Sequence, residues 1–212
     1  MGGGTRGCVW AGYVASPSAL PREPRAFVAC TFRGMELSNL RLSTPNLSLR
    51  ELEQDDLAAV QGWATDPEVC RFMTWGPNTD DDTRAFLAFA ATERRREPRV
   101  TFELGVEHEG RLVGAGGLRI RSASNHSGDL GYALRRDRWG LGWGTEVARA
   151  LLRFGHEQLG LHRIWATCDV DNVASARVLE KIGMHLEGRM KHHMRRHGVW
   201  RDSFLYAWVD DG

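Results

Sequence analysis

The stretch Trp139-Gly140-Leu141-Gly142-Trp143-Gly144-Thr145-Glu146, together with the helix that it opens, decides the fold. Apolar residues recur after it at spacings of three and four, which predicts an amphipathic helix. Glycine lets a ligand approach the main chain, and the first N–H groups of a helix have no partner within it and lie at the positive end of its dipole. The stretch therefore predicts a pyrophosphate-binding site. A glycine-rich turn without a ligand is the alternative interpretation.

Three further motifs accompany this stretch. One is Gly128-Asp129-Leu130-Gly131-Tyr132-Ala133-Leu134, before it. The others follow it, as Asn172-Val173-Ala174-Ser175-Ala176-Arg177-Val178-Leu179-Glu180-Lys181-Ile182-Gly183 and Gly198-Val199-Trp200-Arg201-Asp202-Ser203-Phe204-Leu205-Tyr206. In this order the motifs resemble the GNAT superfamily of acetyl-CoA-dependent N-acetyltransferases, and most closely its RimJ/RimL-like branch. The resemblance covers about residues 42–209 and implies acetyl-CoA as co-substrate and a primary amine as acceptor.

Composition limits the class of protein and its partners. The chain has 212 residues, 42% of them hydrophobic, which suits one well-cored domain with an appendage. The formal net charge of +1 gives no reason to expect nucleic acid or an acidic membrane as partner. No apolar run approaches the roughly 20 residues that cross a bilayer. The four cysteines are scattered, which predicts free thiols, a reducing compartment and thus a cytoplasmic location.

Residues 1–41 differ from the rest of the chain. Their glycines and prolines interrupt any helical or strand pattern, which predicts a disordered or irregular leader before an N-acetyltransferase domain at residues 42–212. A signal peptide is the alternative, but the apolar patch from Cys8 to Ala15 is short and contains Gly12. Met35 is a further candidate for the start of the protein.

Periodicity and turn signals predict the order of the elements. We expect an α/β (α+β) fold with one twisted, mostly antiparallel sheet of about seven strands and helices on both faces. The resemblance adds a splayed site for acetyl-CoA within that sheet. Strands are predicted at 47–52, 100–107, 111–121, 128–135, 164–168, 186–195 and 199–209, and helices at 54–65, 80–97, after the glycine-rich stretch, and between Asn172 and Gly183.

The cofactor-binding residues follow from the resemblance. It implies that the strand around Leu134 and Arg135 pairs with pantetheine and that the Asn172 amide hydrogen-bonds to the same arm. Asn172 is also a favoured N-cap, and the two roles are compatible. Main-chain N–H groups are expected to hold the pyrophosphate at Trp139, Gly140, Leu141, Gly142, Trp143, Gly144 and Thr145.

The candidate acid and base also follow from the resemblance. Many family members have a tyrosine that protonates the departing thiolate where this chain has Leu179, so Ser175 becomes the candidate acid, with water as its competitor. Asp129 stands where related enzymes often carry a glutamate base, and the Ala133 amide would polarise the acetyl carbonyl. Asp129 as a simple strand-end residue is the alternative interpretation. Weaker candidates for the base are Glu103 and Glu146.

Four histidines near the end of the chain raise the question of a metal site. They are His185, His192, His193 and His197. Adjacent strand residues point to opposite faces, and no cysteine or carboxylate spacing completes a site, so we expect no metal. A rim of histidine and arginine around the acceptor mouth is the preferred interpretation, with Arg195, Arg196 and Arg201 nearby.

The sequence leaves the acceptor open. The RimJ/RimL resemblance favours a protein or peptide N-terminal α-amine, of the ribosomal-protein type. A small amine such as an antibiotic, an amino acid or a polyamine is the alternative acceptor. A non-catalytic sensor of acetyl-CoA is the alternative of another class, and a homodimer is a further option.

Overall fold

The computed structural model describes residues 39–196 and 198–212. Its strands form one sheet in the order β1-β2-β3-β4-β5-β6-β8-β7. They are β1 (Arg41–Ser43), β2 (Ser48–Glu51), β3 (Thr101–His108), β4 (Arg111–Ser122), β5 (Ser127–Leu134), β6 (Arg163–Asp169), β7 (His185–Arg196) and β8 (Val199–Val209). The α-helices are α1 (Leu57–Ala64), α2 (Pro67–Cys70), α3 (Asp80–Arg94), α4 (Trp143–Arg153) and α5 (Val173–Lys181).

The sheet is mixed because one neighbouring pair of strands is parallel. β5 and β6 run in the same direction, and the other neighbours are antiparallel. β5 leads through the glycine-rich loop into α4, and the chain returns as β6, so the parallel pair is the crossover that the element order predicts. The expected mostly antiparallel sheet with helices on both faces is confirmed, with eight strands where about seven were expected.

Two apolar cores lie on opposite faces of the sheet. On one face α4 and α5 place Val147, Leu151 and Leu179 against Phe102 and Leu118, among other residues. On the other face the helices α1, α2 and α3 cover a smaller core, which includes Trp63, Val69, Leu87, Ala115 and Ala133. Side chains alternate between the two faces along each strand, so the central strands β3 and β4 are buried on both sides.

Gly116 in β4 allows α4 to pack closely on the sheet. A Cβ atom at this position would lie 3.0 Å from Val147 Cγ1 and 3.1 Å from Leu151 Cδ1. Glycines within a strand indicate a bend or a close backbone approach, and the structure gives Gly116 such a packing role. The close approach fixes the N-terminus of α4 relative to the sheet, which positions the glycine-rich loop.

The N-terminal end of the fold differs from expectation in one respect. β1 pairs with β2, and Leu40 and Leu42 are buried, so the sheet includes Arg41, the last residue of the predicted leader. A three-residue strand is too short for a periodic signal, which is why the sequence pattern missed it. The alternatives for residues 1–38 concern residues outside the described part of the chain, so the leader stays a prediction.

Candidate active site

The parallel strands β5 and β6 separate along their length and open the sheet. They pair only between Ser127–Asp129 and Arg163–Trp165. Beyond this point a cavity of about 380 Å³ lies between them, lined by β5 from Leu130 to Leu134 and by β6 from Ala166 to Asp169. The first turns of α4 and α5 also line it. The opening therefore brings two strand edges and two helix N-termini to one place.

The glycine-rich loop has the backbone that its sequence predicts. Gly140 and Gly142 have φ angles of +78° and +80°, which L side chains rarely adopt, and Gly142 is the N-cap of α4. The N–H of Thr145 donates to the Gly142 carbonyl at 3.0 Å, which closes the first turn. The N–H groups of Trp143 and Gly144 come earlier in that turn and have no partner within a helix. Both residues line the cavity, so the loop offers donors and a positive dipole end to an anion.

Trp139 connects this loop to the end of β5. Its indole Nε1–H donates to the Leu134 carbonyl at 2.9 Å, while about half of its surface stays exposed at the cavity. A side chain at this position thus braces the loop. The main-chain groups, rather than the Trp139 side chain, remain the candidates for binding a phosphate.

The main chain of β5 points alternately towards β4 and towards the opening. The N–H of Arg135 donates to the Val113 carbonyl of the neighbouring segment at 2.8 Å. Alternation then directs the Ala133 main chain towards β4 as well, where Ala133 is paired with Ala115. The structure therefore does not give Ala133 and Arg135 the main-chain roles expected of them. The groups that face the opening belong to Leu130, Tyr132 and Leu134.

Asn172 begins α5 as its sequence predicts. Its side-chain oxygen accepts a hydrogen bond from the Ser175 N–H at 3.1 Å, and its own N–H donates to Asp169. The cap occupies the side-chain oxygen of Asn172. Its Nδ2 group is the hydrogen-bond donor that Asn172 offers to a ligand in the cavity. The two roles expected of Asn172 are geometrically compatible.

Tyr132 and Ser175 meet inside the cavity. Burial raises the pKa of the Tyr132 phenol to about 12, while its side-chain hydrogen bond with Ser175 acts in the lowering direction. The ring also lies against the first turn of α4, since a Cβ atom at Gly144 would be 3.1 Å from Tyr132 Cε2. No local sequence pattern indicates this contact, because 43 residues separate Tyr132 from Ser175.

Asp129 lies at the closed end of the opening. It belongs to the last paired position of β5 and β6, and it is absent from the described residues that line the cavity. Its carboxylate is held by Arg121, whose Nη2 donates to Oδ2 at 3.2 Å. Because Arg121 binds this carboxylate and Asp129 does not line the cavity, this position does not favour Asp129 as the base.

Glu103 and Glu146 are also engaged elsewhere. Glu103 is buried against Arg119, whose Nη2 donates to it at 2.6 Å. Glu146 accepts from the Asn46 N–H at 2.7 Å and so ties α4 to the turn before β2. Burial alone would raise the pKa of Glu146, but its hydrogen bonds to Asn46 and Thr44 outweigh that effect, and the pKa is lowered.

Two other carboxylates do line the cavity. Asp169 is buried and accepts from Arg196 at 3.1 Å and from Arg201 at 2.9 Å. Burial opposes its charge, yet these arginines and a main-chain hydrogen bond keep the pKa of Asp169 below its ordinary value. Glu68 in α2 is exposed at the opposite rim, with its nearest ion-pair partner, Arg71, at 3.8 Å. Neither residue has a sequence motif of its own.

None of the C-terminal histidines that the structure describes lines the cavity. His185 and His192 are exposed, His193 is partly buried, and His197 lies outside the described residues. Burial, with a contribution from Arg196, lowers the pKa of His193. Across residues 39–196 and 198–212, no three side chains of the metal-binding types are grouped. Of the three expected arginines, Arg196 and Arg201 contact Asp169 at the cavity, and Arg195 donates to the Gly198 carbonyl instead.

A second, wider groove of about 670 Å³ runs along α4 on the other side of the glycine-rich loop. Gly142 and Thr145 line both spaces, so the loop forms the boundary between them. Basic side chains of Arg149 and Lys181 lie along this groove. An elongated ligand could therefore place a phosphate group at the loop and extend in both directions.

Comparison with known proteins gives the class of enzyme. A model of the acetyltransferase (GNAT) domain matches residues 46–185, and the chain belongs to this family of acetyltransferases. It is 28% identical to the uncharacterized N-acetyltransferase YnaD of Bacillus subtilis (strain 168), over 81% of this chain and 98% of YnaD. The named relatives and the fold together support N-acetyltransferase activity.

Solved structures agree with this fold. A GNAT-family acetyltransferase from Bacillus anthracis superimposes with a TM-score of 0.72 at 28% identity, covering 82% of this chain and 100% of that one. RimL, a ribosomal alpha-N-protein acetyltransferase solved in complex with coenzyme A, gives a TM-score of 0.73 at 20% identity, covering 81% and 99%. At this identity the likeness to RimL concerns the fold. Within the described residues, no helix is both long and apolar enough to span a bilayer.

Proposed function

We propose that the protein transfers the acetyl group of acetyl-CoA to the N-terminal α-amine of a protein or peptide. The use of acetyl-CoA as the acetyl donor rests on the cavity between β5 and β6, which has a left-handed glycine loop at one end. This arrangement suits a long thioester that has a pyrophosphate at one end and an acetyl group at the other. Free thiols at Cys70 and Cys168 fit a reducing, cytoplasmic setting for such an enzyme.

Acetyl-CoA would be held mainly by main-chain groups. The pyrophosphate would accept hydrogen bonds from the first turn of α4, at Trp143 and Gly144, where the helix dipole adds to the attraction. Pantetheine would pair with the outward-facing edge of β5 and receive a hydrogen bond from Asn172. The nucleotide end would extend along the second groove beside Arg149 and Lys181, where its phosphate meets positive charge.

The reaction needs a polarised carbonyl and two proton transfers. Of the main-chain donors that face the opening, the N–H groups of Tyr132 and Leu134 are the candidates for polarising the acetyl carbonyl. Asp129 is not retained as the direct base, because Arg121 holds it away from the cavity. Water would therefore accept the proton of the amine.

An α-amine is an acceptor that a weak base such as water can deprotonate. Its reference pKa is about 8, so a substantial fraction is neutral near neutral pH, whereas a lysine side chain near 10.4 is almost fully protonated. Glu68 at the rim would attract the protonated amine before it loses its proton. Val69, Phe72 and Met73 line the same side and would contact the first side chain of a peptide. The structural similarity to RimL, an alpha-N-protein acetyltransferase, is in keeping with this acceptor.

The competing acceptor is a small amine, and the competing class is a sensor that binds acetyl-CoA without turnover. To choose between acceptors, we would compare two peptides of the same sequence, each with one internal lysine, one with a free and one with a blocked N-terminus. We expect acetylation of the free N-terminus and almost none of the blocked peptide. Faster lysine acetylation in the blocked peptide would overturn the α-amine proposal, and a preference for small amines over both peptides would replace it.

A further inference from the structure

We propose that Tyr132 is the group that protonates the departing thiolate, and that Ser175 positions it by donating a hydrogen bond to its phenol oxygen. The proposal rests on the acetyl transfer described above and names a catalytic residue for it. It also changes the role expected of Ser175, from the acid to the partner of the acid.

The position of the phenol is the first argument. A molecule anchored at the glycine-rich loop and passing between β5 and β6 brings its reactive end between β5 and the first turn of α5. Tyr132 lies in β5, and its hydroxyl reaches Ser175 in that turn of α5. The ring is held from the other side by Gly144, whose missing side chain leaves room for it. The phenol therefore lies between the first turns of α4 and α5, which both line the cavity.

The chemistry of the neighbouring groups is the second argument. Leu179 lies one turn after Ser175 and lines the cavity with a side chain that cannot donate a proton. Cys168 lines the cavity too, but burial raises its pKa to about 11, with the charges of Asp169 and Glu180 acting in the same direction. A proton transfer from the Cys168 thiol to the departing thiolate would only leave a thiolate on Cys168 instead. Tyr132 donates its proton from an oxygen atom and lines the same cavity.

The Tyr132–Ser175 hydrogen bond is the third argument. Either hydroxyl can donate in this bond, and the Tyr132 proton can reach the sulfur only when Ser175 donates to the phenol oxygen, an arrangement that also stabilises the phenolate. Ser175 then keeps its proton on the bond to Tyr132, and the Tyr132 proton is free to point into the cavity. A pKa of about 12 keeps the phenol protonated at neutral pH, so it is ready to act as an acid.

The two proton transfers of the reaction balance when water accepts the proton of the amine and Tyr132 protonates the sulfur. The amine nitrogen forms a bond to the acetyl carbon, and the carbon–sulfur bond breaks with its electron pair on sulfur. Tyr132 gives its proton to the sulfur, while the nitrogen loses one proton to water. The Tyr132 oxygen regains a proton from water, and Ser175 stabilises the phenolate in between.

The experiment compares Tyr132→Phe with Tyr206→Phe. Tyr206 is a matched control, because its phenol is also buried with a pKa raised to about 12, but its hydroxyl donates to Glu180 at 3.2 Å and it does not line the cavity. We expect Tyr132→Phe to lower kcat about a hundredfold or more, with the Kd for acetyl-CoA unchanged, and Tyr206→Phe to keep the wild-type kcat. Ser175→Ala should lower kcat less, and the double variant should be no slower than Tyr132→Phe alone. A wild-type kcat in Tyr132→Phe, or a larger loss in Ser175→Ala, would overturn the assignment.

A second measurement requires no acceptor and so separates this proposal from the choice of acceptor. Coenzyme A bound to the protein is titrated while the ultraviolet absorbance of its thiolate is followed. Tyr132 should stabilise the thiolate, so the pKa of the bound thiol should rise in Tyr132→Phe and not in Tyr206→Phe. If Tyr132→Phe fails to fold, a fluorinated tyrosine at position 132 should lower the pKa of the bound thiol below the wild-type value. An unchanged thiol pKa in both comparisons contradicts the proposal.

Discussion

Replacing Gly142 with alanine, compared with a matched glycine elsewhere, tests whether the glycine-rich loop binds acetyl-CoA. Gly142 has φ +80°, and a Cβ atom there would meet no protein atom within 4 Å. The protein itself therefore has room for the methyl group, and the space that it enters belongs to both grooves beside the loop. A bound pyrophosphate would fill that space.

The magnitudes follow from these two features. A left-handed conformation costs an L-residue about 1–2 kcal/mol, which for a chain of this size lowers Tm by about 2–8 °C. The methyl group would in addition displace the ligand from at least one N–H group. A hydrogen bond to a charged group contributes about 1.5–3 kcal/mol, so the Kd for acetyl-CoA should rise roughly tenfold to a hundredfold.

Gly110 provides the matched control for this variant. It lies in the turn between β3 and β4 with φ +74°, its Cβ atom would also meet nothing within 4 Å, and it is remote from the cavity lining. Gly110→Ala should lower Tm by a similar amount and leave the Kd for acetyl-CoA, measured by calorimetry, at the wild-type value. Equal affinities in Gly142→Ala and Gly110→Ala would refute the reasoning about the loop.

Three further predictions concern Asp169, Glu68 and the N-terminal residues. Asp169→Asn leaves the buried Arg196 without its partner and should destabilise the fold by about 3–5 kcal/mol, or about 6–20 °C in Tm, whereas the exposed Asp171→Asn should cost about 1 kcal/mol or less. The folded-state pKa of Asp169 is lowered, so the stability that its carboxylate contributes is present above the unfolded pKa near 3.8 and is lost as the pH falls below it. The Tm of the wild type should therefore fall with pH between about pH 5 and 3, and Asp169→Asn should reduce this fall. Glu68→Gln should raise KM for a cationic peptide and leave the Kd for acetyl-CoA unchanged in steady-state and calorimetric assays; an unchanged KM would remove Glu68 from acceptor binding. Deletion of residues 1–34 should leave Tm nearly unchanged, while deletion through residue 46 removes β1 and the Asn46 contact with Glu146 and should lower it; a large drop for the shorter deletion would show that the leader packs on the domain.

The sequence predicts those parts of the site that depend on local backbone rules. The left-handed glycines of the loop and the Asn172 cap follow from residues that are neighbours in the chain. These conformations depend on residue type more than on tertiary context, so their pattern carries the information.

The catalytic groups could not be predicted in the same way, because they depend on register and on packing across the sheet. The direction of the Ala133 amide is set by which residue of β4 it faces, and the sequence does not state that register. Asp129 is occupied by Arg121, eight residues away on another strand, and Tyr132 meets Ser175 only when α5 packs over the opening. The resemblance therefore pointed to Asp129, a carboxylate that binds Arg121 in this fold.

The most direct test of the account is thiol release from acetyl-CoA in the presence of a peptide with a free N-terminus, with the product examined by mass spectrometry. We expect one thiol to be released for each peptide acetylated at its α-amine, and both products to be strongly reduced in Tyr132→Phe but not in Tyr206→Phe. Binding of acetyl-CoA without thiol release, with this peptide and with a panel of small amines, would contradict it and identify the protein as a sensor of acetyl-CoA.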